Sequence, residues 1–322
     1  MPLLEVDAAK ITRKLGTIDF AEGSSKQLRI DQDGVLLNLR FRMDFTITNG
    51  GSAAVLAKPY ALSRFIKRLD LAYNGQDIFQ TIDGPHMVAR QIMEKGCRPY
   101  GMDASVVLTG SAATAYSVVL ELPQTLPRAI SPMDCALDFR RLRQVVATVL
   151  WGQMSDIYGT VNSAAVSAFT CTVEGDYLAN PKPDAVYFMR DLASFDWQVS
   201  AANTDFAPQA IDRGAYWLRS FNFYTDSDSV LVNTILNNAI LKAGTFSFLD
   251  RSRTMLNADQ AHAYQMPLAE RATGVYRWEA PVYGSNRTLI YMGNPASPDL
   301  FLRLDVSHPG TTDYVRVSRE GI

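Results

Sequence analysis

The sequence predicts an all-β protein built of two tandem sandwiches, and three observations carry that prediction. Stretches in which apolar and polar residues alternate recur along the whole chain, which is the period of strands with one buried and one wet face. Turn residues such as Asn74-Gly75, Asp33-Gly34 and Asp226-Ser227 fall between them at short spacing, as in sandwiches and barrels. A break at Asn180-Pro181-Lys182-Pro183-Asp184 then divides the pattern, because two prolines bar both a helix and a central strand.

Composition agrees. A chain of 322 residues suits two domains, at roughly 100–200 residues each. With 47% apolar and 20% charged residues, it can bury a core and is not of disordered type. Its 15 Phe and 14 Tyr pack well on pleated surfaces. A net charge of −2 lacks the basic stripe of a protein that wraps nucleic acid, so no direct nucleic-acid binding is expected. Low self-repulsion suits association with further copies. Cys97, Cys135 and Cys171 are odd in number and far apart, the pattern of reduced thiols in a protein made in a cytosol. The N-terminus has charges where a signal peptide needs an apolar core. Val145 to Trp151 is an apolar run of strand length, short of a membrane span.

In chain order, the first expected element is a helix over residues 1–16. Leu4, Ala8, Ile11 and Leu15 share one helical face, Lys10, Arg13 and Lys14 lie beside it, and Gly16 ends it. Such a helix either packs on the protein or sets a basic foot on an anionic lipid surface. The first sandwich then covers 17–180 and the second 181–322. Leu37, Leu39, Phe41, Met43, Phe45 and Ile47 take every second position of a long strand. Phe65 to Gly84 reads as strand, Asn74-Gly75 hairpin turn and strand. Pro85 opens a short helix that Gly96 closes. Ala115–Leu122, Leu142–Trp151 and Phe169–Leu178 are further strands, and Phe195–Val199, Tyr216–Tyr224, Phe246–Phe248, Val275–Val282, Thr288–Met292, Leu300–Val306 and Tyr314–Val317 follow in the second half.

The halves also echo each other. Leu69 to Gly84 and Phe221 to Asn238 each give a strand ending in Tyr, a polar turn, an apolar patch and Thr-Ile. Tyr73 then matches Tyr224, and Thr81-Ile82 matches Thr234-Ile235, as in a duplicated sandwich.

Catalytic signatures are missing. No phosphate-cradling glycine loop, nucleophile elbow or zinc-protease helix motif occurs. His86, His262 and His308 are scattered, so no enzyme and no cofactor are expected. Asp31-Gln32-Asp33-Gly34 and Asp226-Ser227-Asp228-Ser229 space their carboxylates as calcium loops do, but lack the distal Glu. They read as turns in which Asp bonds its own backbone.

Three stretches carry a resemblance. They are RFIKRLDLAYNGQDIFQTIDG, SPMDCALDFRRLRQVVATVLWGQMSDIYG and GAYWLRSFNFYTDSDSVLVNTILNNAILKAGTFSFLD. In this order they resemble the strand-and-turn, the loop-to-strand ending in Trp-Gly, and the second-barrel opening of double jelly-roll major capsid proteins. Those proteins come from tailless icosahedral viruses with an internal membrane, and the tectivirus, corticovirus and finnlakevirus groups of bacteriophages are nearest in style. The resemblance implies two tandem jelly rolls, a homotrimer forming a pseudo-hexameric tile, and contacts between tiles in a virion assembled in the host cytoplasm. It also implies minor capsid, vertex and membrane proteins as partners, with Lys10, Arg13 and Lys14 facing lipid head groups. A carbohydrate-binding or adhesive sandwich of spike or lectin type is the alternative. Trp197, Trp217 and Trp278 would be its platforms, although their alternating positions point to a core. A β-sandwich hydrolase is the third reading.

Overall fold

The computed structural model describes residues 10–30, 34–73, 77–102, 106–125, 136–139, 142, 144–158, 163–178, 191–206, 217–228, 230–264, 273–279, 282–283, 286–287, 290–291 and 299–321. The chain forms two compact units, one of Met1–Gln91 and Arg98–Arg190, the other of Ile92–Cys97 and Asp191–Ile322. The expected proline break at 180–184 lies outside the described residues.

The first unit holds β1 (Lys10–Ile18), β2 (Ser25–Ile30), β3 (Val35–Asn49), β4 (Val55–Leu56), β5 (Ile66–Tyr73) and β6 (Asp77–Ile82). Helix α1 (Gly84–Lys95) follows, its last turn from Ile92 belonging to the second unit, then β7 (Val107–Leu108), β8 (Ala113–Pro123), β9 (Leu137–Asp138), β10 (Val145–Trp151), the one-turn α2 (Met154–Ile157) and β11 (Ala164–Leu178). One sheet runs β1-β11-β3-β8, with β9 beside β3. A second runs β6-β5-β10-β2, antiparallel throughout. Alternation places Leu39, Phe41, Met43 and Ile47 of β3 at 0% exposure, facing Val118, Leu120 and Leu122 in the core. Residues 74–76 are not described, yet Tyr73 pairs with Asp77 as the hairpin reading requires. Asp83 caps α1, its Oδ1 accepting the backbone N–H of His86 at 2.8 Å.

The second unit holds β12 (Asp191–Val199), β13 (Asn203–Phe206), β14 (Trp217–Ser227), β15 (Val230–Leu231), β16 (Leu236–Ala243) and β17 (Phe246–Ser252). Helix α3 (Arg253–Tyr264) follows, then β18 (Val275–Glu279), β19 (Val282–Tyr283), β20 (Asn286–Arg287), β21 (Ile290–Tyr291), β22 (Leu300–Val306) and β23 (Asp313–Gly321). In one sheet β23 lies between β12 and β14, and β18 pairs with β14. The other runs β13-β22-β16-β17. Their inner faces meet in a core that includes Phe221, Phe223, Leu241, Leu302 and Val317.

Strand order reveals the duplication. Each unit has eight described strands of four residues or more. In both, one sheet orders them first, eighth, third, sixth, and the other second, seventh, fourth, fifth. That order is the jelly roll. The sequence echo does not locate it: Tyr73 ends the fourth strand of its unit, whereas Tyr224 lies in the third strand of the other. Thr81-Ile82 is in β6, and Thr234-Ile235 precedes β16. The echoed segments therefore occupy unequal places in the two folds.

The N-terminal helix is also corrected. Residues 10–16 form part of β1 and pair with β11 from Lys10↔Leu178 to Ile18↔Cys171. Residues 1–9 lie outside the described residues. A helix of about 12–15 residues is marginal by itself in water. The β-branched Ile11, Thr12, Thr17 and Ile18 favour a strand once β11 offers a partner. A bulge between Lys14 and Gly16 absorbs the residue that made the spacing look helical.

A second irregularity sets an aromatic cluster. The β11–β3 register shifts between Ser167 and Thr170, with Ala168 at φ 51°. Phe169 packs against Phe20 at 4.2 Å and Phe45 at 5.2 Å, and edge-on against Phe65 and Trp151. The Trp151 Nε1–H donates to Asp19 O at 2.8 Å, satisfying the one polar group of the indole.

Candidate functional site

Lys10, Arg13 and Lys14 are exposed on β1. Lys10 reaches Asp176 at 3.5 Å, and the same carboxylate binds Arg40 at 2.8 Å and accepts from Thr12 Oγ1 at 2.7 Å. The Asp176 side chain is 2% exposed, so these partners compensate a nearly buried charge. The residues read as a basic foot thus sit on an edge strand, where charged side chains also discourage pairing with a foreign strand.

The three histidines stand in different settings. His86 is buried, with Nδ1 3.1 Å from Asp83. His262 is exposed on α3. His308 Nδ1 lies 2.7 Å from Asp313 Oδ2, which also accepts the Gly310 N–H at 3.0 Å. In a hydrolytic triad the imidazole separates carboxylate and hydroxyl. Here the Ser227 hydroxyl approaches Asp313 instead, which orients a loop and activates no nucleophile. Among the described residues no group of three His, Cys, Asp or Glu is placed to hold a metal. The turn reading of Asp228 is corrected: its Oδ1 accepts Thr311 Oγ1 at 2.7 Å and the Thr312 N–H at 3.0 Å, so it ties the turn to the loop before β23 rather than bonding its own backbone. The other acidic turn, from Asp31 to Asp33, lies outside the described residues, as does Cys135. Cys97 is exposed, while burial pushes the Cys171 thiol up to about 12.

Of the three tryptophans named as platforms, the two with described side chains pack against a core. Trp278 is 8% exposed and stacks on Phe221 at 6.0 Å within the core. Trp197 is half-buried and packs against the same core; the Trp217 side chain lies outside the described residues. Exposed apolar side chains occur elsewhere. In the first unit Leu56 and Val107 are cross-strand partners, 65% and 57% exposed, and Tyr100 is 72% exposed.

Two features of the second unit had no signal in the sequence. The first is a buried ionic network. The Arg277 guanidinium lies 3.0 Å from Glu279, 3.2 Å from Glu320 and 3.6 Å from Glu94. Ser220 Oγ donates to Glu320 Oε2 at 3.1 Å, and Arg277 Nη1 donates to Asn222 Oδ1 at 3.3 Å. The second is a cavity of about 540 Å³ beside the network, formed by β17, α3 and β18. Asp250, Asp259, Gln260, Arg277 and Trp278 contribute to its lining. Strand spacing reveals neither feature, because their members lie far apart in the chain.

No family model matches the sequence, and no curated relative matches it. Solved structures do. The major capsid protein of Sulfolobus Turreted Icosahedral Virus is similar at TM-score 0.76 and 14% identity, covering 98% of this chain and 97% of that one. The fold is a double jelly roll. The PBCV-1 virus capsid protein is similar to it at TM-score 0.65 and 12% identity, over 99% and 95% of the two chains. The major capsid protein P2 of bacteriophage PM2 follows at TM-score 0.59 and 10% identity, over 97% of each. The double jelly roll thus spans nearly the whole chain, as the three resembling stretches implied.

Proposed function

We propose that this protein is the major capsid protein of an icosahedral virion. The observation that carries the reading is the repeated strand order, first-eighth-third-sixth over second-seventh-fourth-fifth, in both units. Two such units in one chain supply two similar blocks per copy, so three copies supply six, the number a pseudo-hexagonal tile needs. The likeness to viral major capsid proteins over whole chains supports it. Tiling requires side contacts and no bond-making chemistry, so an enzymatic role adds nothing to this reading. In it the partners are further copies, with minor capsid, vertex and membrane proteins of the virion, and the place of assembly is the host cytoplasm. A shell set apart from the genome by a bilayer would also need no nucleic-acid contact. Lys10, Arg13 and Lys14, exposed on β1, are the side chains offered to anionic head groups in it. The adhesive reading loses two of its three platform residues, since Trp278 is in the core and Trp197 packs against it.

Light scattering coupled to size exclusion, followed by electron microscopy of the purified chain, tests the proposal. A trimer that forms hexagonal tiles is the expected result. A strict monomer at high protein concentration and physiological salt would overturn it.

A further inference from the structure

In the second unit the turn from β14 to β15 meets the loop before β23. Three side-chain oxygens converge there. A Cβ built on Gly310 would stand 2.1 Å from Ser227 Oγ, 2.7 Å from Asp313 Oδ1 and 3.1 Å from Asp228 Oδ2. Any side chain at this position would collide with the three, so the cradle they form requires glycine. Two carboxylates and a hydroxyl that share one point are a hard, all-oxygen donor set.

A second observation points to a ligand. Asp313 is at 0% exposure. His308 Nδ1 and the Gly310 N–H both engage its Oδ2, at 2.7 Å and 3.0 Å. Its Oδ1 turns to the cradle. The Ser227 hydroxyl stands beside that atom, yet Oδ1 accepts no hydrogen bond of proper geometry. A buried carboxylate oxygen in that state calls for a donor or a cation. Asp228 repeats the arrangement: its Oδ1 holds Thr311 and Thr312, and its Oδ2 faces the cradle. Among the described residues no lysine or arginine pairs with either carboxylate, and His308 is the one basic group beside them. Negative charge therefore prevails.

We propose that these three oxygens bind a calcium ion, which clamps the β14–β15 turn to the loop before β23. Calcium takes roughly six to eight oxygens at about 2.3–2.6 Å, water among them. Asp313 Oδ1, Asp228 Oδ2 and Ser227 Oγ would supply the protein side, and solvent at the exposed Asp228 the remainder. The turn Asp226-Ser227-Asp228-Ser229 has the spacing of a calcium loop without its distal Glu. Asp313 supplies the distal carboxylate from a loop remote in sequence. No third acidic side chain is needed, because the hydroxyl and water complete the set. The proposal does not depend on the shell reading.

Calorimetry of the full chain, stripped with a chelator and titrated with calcium chloride, tests it. Sodium chloride at equal ionic strength is the control. Calcium should bind saturably at one site per chain, with a Kd of about 10⁻⁴–10⁻³ M, the weak end of calcium sites, as suits two carboxylates. Sodium should give no saturable heat. Asp228→Asn keeps the acceptor for Thr311 and Thr312 at an exposed residue. It should fold normally and weaken calcium about tenfold, as loss of one charged ligand does. Ser227→Ala should weaken it as well. Asp205→Asn removes an exposed carboxylate on β13, paired with Arg303 at 3.0 Å, and should leave binding unchanged. No saturable heat with calcium, unchanged affinity in Asp228→Asn, or an equal loss in Asp205→Asn would each overturn the proposal.

Discussion

Arg277 and Glu320 meet in the interior of the second unit, Nη2 to Oε2 at 3.2 Å, with side chains 1% and 0% exposed. Removing one member of a buried pair leaves the other charge without compensation, which costs about 3–5 kcal/mol. Glu279 remains 3.0 Å from Arg277, so Glu320→Ala should fall at the low end, about 3 kcal/mol. Urea unfolding followed by a probe in the second unit checks this. A loss under about 1 kcal/mol would show that the remaining carboxylates suffice.

A neutral counterpart lies in the first unit. Gln80 Nε2 donates to Gln124 Oε1 at 2.8 Å, and Gln124 Nε2 donates back at 3.3 Å, with both residues at 0% exposure. Gln80→Leu strands a buried amide and should cost about 1–3 kcal/mol. Gln80→Leu with Gln124→Leu should cost less than the sum of the single changes. A double-mutant cycle reads the coupling, and strict additivity would refute it.

Acid should loosen the end of β23. Burial raises the Asp313 carboxyl, but the Ser227 hydroxyl, the Gly310 N–H and His308 together outweigh it and hold it below 3.8. A depressed folded value contributes stability above the unfolded value, and that contribution is lost as pH falls through the folded one. Asp313→Asn should therefore be less stable than the parent at pH 7, with the gap closing below pH 3.8. Urea midpoints measured from pH 7 to pH 3 decide it; a constant gap would rule out the linkage.

Thiol labelling should separate the two described cysteines. Cys97 is exposed, whereas Cys171 is at 0% exposure with its thiol raised to about 12. Only thiolate attacks an electrophile at useful rates. Iodoacetamide at pH 8, with peptide mapping, should modify Cys97 in minutes and Cys171 only after denaturation. Equal rates in the native protein would contradict the burial of Cys171.

The sandwich class, the long strand β3, the β5–β6 hairpin, α1 and β22 were legible in the residues themselves. Each rests on a local rule: alternation across a pleat, an Asn-Gly turn, or a proline start with a glycine stop. The resemblance to capsid proteins was legible too, as an order of such elements. Tertiary structure decided the rest. Ile11 and Leu15 fit a helix by spacing, and only pairing with β11 makes them a strand. The echo of Tyr73 and Tyr224 looked like the mark of duplication, but the duplication lies in strand order, which long-range pairing sets. The ionic network is invisible for the same reason: Arg277 meets Glu320 from 43 residues away. The polar cavity follows from the closure of β17, α3 and β18 around it. Local periodicity reports which face of an element is apolar, while the partner that covers that face is chosen by the packing of the whole unit.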